Sequence, residues 1–212
     1  MNASACPLTA HDDPAAIIAW RREGPVSVAR FIADAERLAG FLSASLPPAG
    51  HLLNICQDRY RFMVGFAACL ISGRSSLQPP SHAPETVRQL LDFAPDTVCL
   101  HDEAGEMPLA GLLPAIRYPE PPADEARSAG IPFVMPRIPA DRVAACVFTS
   151  GSTGMPVAHV KRWGALVRNA RAEAGRLGTD RQGHAIVGTI PGQHMYGFES
   201  TVLLSLHGNC AA

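Results

Sequence analysis

The sequence predicts an α/β protein, a layered parallel-sheet sandwich with flanking helices. Two observations favour this fold class. Apolar runs of strand length alternate with amphipathic stretches of helix length, and one strand–helix–strand succession is completed between residues 51 and 80. Such a succession joins parallel strands through a crossover helix. With 212 residues, 47% of them hydrophobic, the chain can bury a substantial core.

The first elements follow from the spacing of apolar residues. Residues 27–46 carry apolar side chains at helical intervals behind Ser27, a favourable N-cap, and predict an amphipathic helix. The elements predicted next are, in order, a buried strand (51–56), a helix ending near Gly73 (59–72) and a second strand (74–80).

A further helix and strand extend the predicted sheet. Residues 84–94 open with Pro84, which is favoured in the first turn of a helix, and residues 96–102 have a strand pattern. The chain then becomes rich in proline, which argues against long regular elements. We therefore predict a first α/β subdomain over residues 1–106, a connector over residues 107–140, and the start of a second α/β subdomain over residues 141–212.

A loop rich in glycine and hydroxyl groups follows the next predicted strand, residues 142–149, and precedes a predicted helix that begins near Lys161 and ends near Gly178. The loop residues are Thr149, Ser150, Gly151, Ser152, Thr153 and Gly154. Inward-turned N–H groups, hydroxyl donors and the positive end of a helix dipole would together favour a bound anion. A simple turn is the alternative for a loop of this composition.

Two familiar catalytic patterns do not fit this loop. A Walker A loop places lysine directly after its last glycine, whereas Met155 follows Gly154. A nucleophile elbow has glycine two residues before its serine, whereas Ser150 precedes Ser152 at that position. Neither a P-loop NTPase nor a serine hydrolase is indicated.

The loop resembles the signature loop of the adenylate-forming enzymes, which include acyl- and aryl-CoA synthetases, the adenylation domains of peptide synthetases, and luciferase. Their pattern is Thr-Ser-Gly-Ser/Thr-Thr-Gly-x-Pro, and Thr149 to Gly154 with Pro156 match it position by position. The resemblance implies the N-terminal part of the large domain of these enzymes. It also implies that the loop holds the phosphates of ATP while a carboxylic acid attacks the α-phosphorus.

Two other segments carry the same resemblance. Residues 61–80 are similar to an early family segment, in which an apolar helix ends in glycine and leads to a strand with proline. Residues 191–209 are similar to the family segment Pro-x-x-His-x-x-Gly followed by an apolar helix, which lines the acyl pocket in relatives. The resemblance implies substrate binding by His194, Tyr196 and Gly197. A hydrogen-bonded structural role for His194 and a core position for Tyr196 are the alternatives.

One departure from the family concerns a lysine. The family usually places lysine directly after the proline of the loop, whereas Val157 follows Pro156 here and the next lysine is Lys161. We predict that Lys161 takes the phosphate contact, because a long flexible side chain at the start of a helix can fold back over the loop. Arg162 is the alternative cation, and Trp163 is expected to be a packing anchor or an edge of the nucleotide site.

A second departure is the extent of the sequence. It reaches "GNCAA" at residues 208–212 without the family's Tyr-Gly-x-Thr-Glu segment or its C-terminal lysine domain. In relatives those parts supply the magnesium-binding glutamate, the ribose-binding aspartate and the catalytic lysine. We therefore assign no catalytic residue and no metal ligand, expect an open sheet edge near residue 212, and expect this chain alone to be inactive.

The leading functional hypothesis is the N-terminal portion of an AMP-forming acid–thiol ligase. The resemblance implies ATP, Mg²⁺ and a small-molecule carboxylic acid as reactants of the complete enzyme, with CoA or the phosphopantetheine of an acyl carrier protein as the acceptor. The alternative is a non-catalytic module that binds an acyl group or a nucleotide. The sequence does not identify the acid or the oligomeric state.

Charge and composition argue against nucleic-acid-binding, membrane-spanning and zinc-binding proteins. A net charge of −1 gives no electrostatic support for nucleic-acid binding, and no apolar stretch is long enough to span a membrane. The six cysteines are widely separated and lack the spacing of a zinc site, which favours buried thiols in a reducing, cytoplasmic compartment.

Overall fold

The fold is described from a computed structural model, which covers residues 4–48, 50–105, 109–120, 133–150, 156–181 and 184–212. Four α-helices of ten or more residues are α1 (Val28–Ser45), α2 (Arg59–Ile71), α3 (Pro84–Phe93) and α4 (Trp163–Leu177). The strands are β1 (Ala5–Pro7), β2 (Ile17–Arg21), β3 (Gly24–Ser27), β4 (His51–Asn54), β5 (Ser75–Gln78), β6 (Thr97–His101), β7 (Ala115–Arg117), β8 (Arg137–Pro139), β9 (Val143–Ser150), β10 (Pro156–Arg162), β11 (His184–Ala185) and β12 (Cys210–Ala211).

The central sheet has six strands in the order β10-β9-β5-β4-β6-β7. All neighbouring pairs are parallel except β9 and β10, which form an antiparallel hairpin. The fold is therefore α/β, as predicted. Strands on both sides of the predicted connector, residues 107–140, belong to this one sheet, and the predicted subdomain boundaries stay a prediction.

The main helices begin and end where local sequence features indicate. The Ser27 hydroxyl accepts a hydrogen bond from the backbone N–H of Arg30 at the start of α1, and the Asp58 carboxylate accepts one from Arg61 at the start of α2. Gly178 follows α4 with φ 73°, a left-handed conformation that favours glycine at this position. These caps supply partners for backbone groups that the helices leave unpaired.

Helices cover both faces of the central sheet. Adjacent β4 residues enter different hydrophobic clusters because successive strand side chains point to opposite faces: Leu52 joins the larger cluster and Leu53 the smaller. The larger cluster includes side chains from α1, α2 and α4, and the smaller one includes Val87 and Leu90 of α3. Trp163 is fully buried in the larger cluster beside Phe66, so it acts as a packing anchor.

The hairpin changes the placement of Lys161. The helix predicted to begin near Lys161 is present as α4 and begins at Trp163, but Lys161 itself belongs to β10, which runs from Pro156 to Arg162. Pairing with β9 gives this stretch backbone partners that a local helical pattern does not reveal. Seven strand residues therefore lie between Met155 and the start of α4 at Trp163.

The segment near residue 212 is paired in the structure. β12 lies parallel to β11, while the N–H of Ala212 donates to Ile18 of β2 at 3.1 Å and the N–H of Trp20 donates to Ala212 at 2.6 Å. The expectation of an open edge here is wrong, because the hairpin of β2 and β3 supplies the partner and is distant in sequence.

His207 is buried close to the same segment. Three consecutive helical segments, Met195–Gly197, Phe198–Leu203 and Leu204–His207, precede β12. His207 packs against Trp163, with ring centroids 5.2 Å apart, and burial lowers its pKa to about 3, with smaller contributions from Arg171 and His11. The neutral imidazole is therefore the form that the fold stabilises.

Acidification is expected to destabilise the protein through His207. Its pKa lies below the ordinary value of 6.5, so the unfolded chain binds a proton that the folded chain does not between pH 6.5 and about 3. The free energy of unfolding should fall by about 1.4 kcal/mol per pH unit below 6.5 through this group. Urea unfolding at pH 7 and pH 5 measures it, and a His207→Gln variant with an unchanged pH dependence would contradict the assignment.

Candidate functional site

A cleft of about 450 Å³ opens near the carboxyl ends of β5 and β9. The carboxyl ends of parallel strands are the usual place for ligands in open α/β sheets. One side of the cleft comes from the sheet. The other side comes from residues 191–194, here called the facing segment, which precede the helical stretch that begins at Met195. The polar lining residues are Gln78, Thr149, His159, Lys161, Gln193 and His194, and the apolar ones are Pro79, Pro80, Val147, Phe148 and Met195.

Strand register explains how the sheet wall is assembled. Val147 of β9 pairs with Gln78 of β5 on one side and with His159 of β10 on the other, so these three residues form one row across the sheet. Because alternate residues share a face, Val157, His159 and Lys161 lie along the same face of β10. Lys161 is the furthest of the three from the loop, and its long side chain lines the cleft.

The facing segment is held over the end of β4. The side-chain amide of Gln193 donates to the carbonyl of Cys56 at 2.6 Å. The backbone N–H of His194 donates to Pro191 at 3.1 Å, and the carbonyl of His194 accepts from Phe198 at 2.8 Å. These bonds position His194 at the edge of the cleft.

Two glycines allow this segment to pack closely. A Cβ on Gly192 would lie 2.8 Å from the Phe62 ring, and a Cβ on Gly197 would collide with the backbone carbonyls of Pro191 and Ile190. The last glycine of the Pro-x-x-His-x-x-Gly pattern is therefore required by the backbone turn that carries His194.

The described lining of the cleft includes hydrogen-bond donors, one lysine and two histidines. The Thr149 hydroxyl lies 3.1 Å from Nε2 of His159, and Lys161 and His194 line the same space. Burial, with a smaller contribution from nearby His194, lowers the pKa of His82. Within the described part of the chain no Asp or Glu lines the cleft, so the site suits an anion.

The structure brings together some of the predicted site residues. Thr149, Lys161 and His194 share the cleft, although they come from three different segments. Ser150 ends β9 but its side chain is not described, and Gly151, Ser152, Thr153 and Gly154 lie outside the described residues. Phosphate binding by this loop stays a prediction.

The other two predicted substrate residues do not line the cleft. Tyr196 is 69% exposed, so the alternative of a core position is wrong, and Gly197 is buried against backbone. Sequence reasoning missed Gln78, His159 and Gln193. Alternation along β10 could have pointed to His159 once the strand was recognised, whereas the glutamines are placed by long-range packing.

The described residues do not form a magnesium site. Mg²⁺ is usually bound through carboxylates, phosphates and water, and the cleft lining has no carboxylate. Across the described ranges, no three His, Cys, Asp or Glu side chains gather in a way that could hold a metal ion.

Comparison with protein families gives one match. The model of the AMP-binding enzyme family matches residues 8–211. A search of curated proteins finds no match.

Solved structures share this fold. o-Succinylbenzoate CoA synthetase (MenE) from Bacillus subtilis, in complex with the acyl-adenylate intermediate OSB-AMP, is 20% identical with a TM-score of 0.73 over 98% of this chain and 56% of its own. The same enzyme with ATP and a magnesium ion is 20% identical, with a TM-score of 0.72 over 98% and 57%. ATP-bound MatB from Rhodopseudomonas palustris is 19% identical, with a TM-score of 0.72 over 95% and 42%.

These identities establish likeness of fold. The chain spans about half the length of the solved structures that it matches. None of the helices among the described residues is both long and apolar enough to cross a membrane.

Proposed function

Because the chain belongs to the AMP-binding enzyme family, we propose that it forms the phosphate-binding side of an adenylate-forming acid–thiol ligase. The observation that carries this proposal is the cleft itself. It gathers Thr149 and His194, which match the family's sequence patterns, with Lys161, the first lysine after the loop, in a space without carboxylates among the described lining residues. A polyanion such as the triphosphate of ATP suits that surface.

The proposed reaction has two steps. A carboxylate oxygen of a small-molecule acid attacks the α-phosphorus of ATP, the bond from this phosphorus to the bridging oxygen breaks, and pyrophosphate leaves. A thiol of CoA, or of the phosphopantetheine of an acyl carrier protein, then displaces AMP from the acyl-adenylate. The solved relatives named above include complexes with an acyl-adenylate and with ATP and magnesium.

The residues of this chain would contribute binding and charge stabilisation. Lys161 would balance negative charge on phosphate oxygens, Thr149 would donate a hydrogen bond to them, and His194 would donate to the acid. The loop residues Ser150 to Gly154 would add hydroxyl and backbone donors. Magnesium would neutralise phosphate charge in the complete enzyme, and the described lining of the cleft has no carboxylate to hold it.

Free thiols support a reducing location. All six cysteines are unpaired, and five of them are buried. Disulfides are rare in the cytosol, so this pattern favours the cytoplasm as the site of action.

A second candidate is a binding module without catalysis. The observation that favours it is the absence of Asp and Glu from the described lining of the cleft. Such a module would bind a nucleotide or an acyl group without neutralising the phosphates for attack.

One experiment tests whether this chain binds ATP and whether it catalyses adenylation by itself. We expect purified residues 1–212 to bind ATP in calorimetry but to show no acid-dependent exchange of labelled pyrophosphate into ATP, because the described lining of the cleft has no carboxylate to hold magnesium. Robust exchange with any carboxylic acid would show that this chain catalyses adenylation by itself. Failure to bind ATP would contradict the proposed phosphate-binding role.

A further inference from the structure

A side-chain contact joins the two strands of the β9–β10 hairpin in the cleft. Nε2 of His159 lies 3.1 Å from the hydroxyl oxygen of Thr149. The register pairs His159 with Val147 and Thr149 with Val157, so the two residues are diagonal neighbours on one face of the sheet. Both side chains line the cleft.

The proton on Nε2 decides what the Thr149 hydroxyl can offer a ligand. A hydroxyl has one proton to donate and two lone pairs that accept. If Nε2 carries a proton, it donates to the hydroxyl oxygen, and the hydroxyl proton remains available to an anion. If Nε2 is unprotonated, the hydroxyl donates to the ring and loses that capacity.

The surroundings link the charge of His159 to an anionic ligand. The titratable groups of the cleft are Lys161 from β10 and His194 from the facing segment, with His82 beside His194; Gln78 and Gln193 are neutral. In the part of the chain that the structure describes, no carboxylate lines the cleft to pair with an imidazolium. A bound phosphate would supply the missing negative charge.

We propose that His159 is a positioning residue for Thr149 and that binding of a triphosphate in the cleft takes up a proton at His159. The proton comes from solvent, and no covalent bond other than N–H is formed. The charged ring donates from Nε2 to the Thr149 oxygen, and the Thr149 hydroxyl donates to a phosphate oxygen. The inference rests on the proposed ATP-binding function and adds a residue and a proton to it.

Calorimetry at pH 7 in buffers of different ionisation enthalpy measures the proton directly. Wild-type residues 1–212 should take up more protons on binding ATP than the His159→Gln variant. Glutamine keeps a donor on the strand but cannot become charged. Because the bound state holds the extra proton, the affinity advantage of the wild type over this variant should grow as the pH falls.

Two further variants separate positioning from a structural role. Thr149→Val removes the hydroxyl that accepts the hydrogen bond from His159 and donates to the phosphate. The ATP affinity of this variant should therefore be lower than that of the wild type at every pH and should depend less on pH. Val160→Gln is the matched control, because Val160 neighbours His159 but points to the opposite face of β10 and is 52% exposed. It should bind like the wild type.

The outcomes distinguish this inference from the proposed function. Equal proton uptake by the wild type and His159→Gln would overturn the role of His159 while leaving ATP binding intact. Inorganic tripolyphosphate is the second probe. If tripolyphosphate binds with proton uptake that depends on His159 but ATP does not bind, the inference is supported and the nucleotide-binding function is contradicted. No binding of either probe would overturn both.

Discussion

Replacing Lys161 by methionine is expected to weaken ATP binding to residues 1–212 by roughly one to two orders of magnitude. Lys161 is the only lysine in the sequence, and its side chain lines the cleft from the same face of β10 as His159. A charge-assisted contact to phosphate contributes about 1.5 to 3 kcal/mol, which corresponds to that loss. Methionine keeps the length of the apolar stem and removes the charge.

Arg162 provides the matched control for this substitution. It is the next residue of β10, its side chain is exposed, and its guanidinium donates to the carbonyl of Asp141 at 2.5 Å. Arg162→Met should therefore change ATP affinity by less than about twofold. If ATP binding survived Lys161→Met but collapsed in Arg162→Met, the phosphate contact would belong to Arg162.

The single lysine also permits an independent measurement. Apart from the chain's N-terminal amine, Lys161 is the only amine that an amine-reactive reagent can modify. Bound ATP should slow modification of Lys161 and leave the N-terminus unaffected, which peptide mass spectrometry resolves. Equal rates of modification with and without saturating ATP would contradict a direct contact.

Features encoded locally explain which elements could be predicted from the sequence. The N-caps Ser27 and Asp58 are followed by apolar residues at helical spacing, and Gly178 ends α4. Those determinants lie within a few residues of each helix terminus. Sequence periodicity therefore indicated the helices and the buried parallel strands.

The hairpin at β10 depends on a partner strand, and that is why it was missed. His159 and Lys161 alternate with Ala158 and Val160, which is a strand pattern. The helical pattern that begins at Trp163 follows directly, so the sequence does not mark where the strand ends. Pairing with β9 decides between strand and helix. The consequence for function is that Lys161 lies on a strand face in the cleft and not in the first turn of a helix.

The cleft itself could be predicted only in part. Family patterns pointed to Thr149 and His194, and the need for a cation after the loop pointed to Lys161. The sheet and the facing segment bring the three residues together. Gln78 and Gln193 carry no local pattern of their own. Their positions arise from the parallel pairing of β5 with β9 and from the hydrogen bond between Gln193 and Cys56.

Replacing Gly197 by alanine is expected to lower the free energy of unfolding by about 1 to 3 kcal/mol or more. The added Cβ would collide with the carbonyl oxygens of Pro191 and Ile190, which are backbone atoms and cannot move away like the end of a flexible side chain. The segment that carries His194 would have to shift, because Phe198 donates to the His194 carbonyl. Urea unfolding at pH 7 measures the change.

Gly40→Ala is the control with the opposite expected sign. Gly40 lies within α1, is exposed, and has no atom within 4 Å of the position that a Cβ would occupy. Alanine favours a helix interior over glycine by about 1 kcal/mol, so this variant should be more stable than the wild type. Loss of stability in both variants would indicate a general intolerance of alanine.

Unchanged stability in Gly197→Ala would contradict the prediction for Gly197. It would mean that the turn before the helical segments can relax, and that the glycine of the Pro-x-x-His-x-x-Gly pattern is not required by packing.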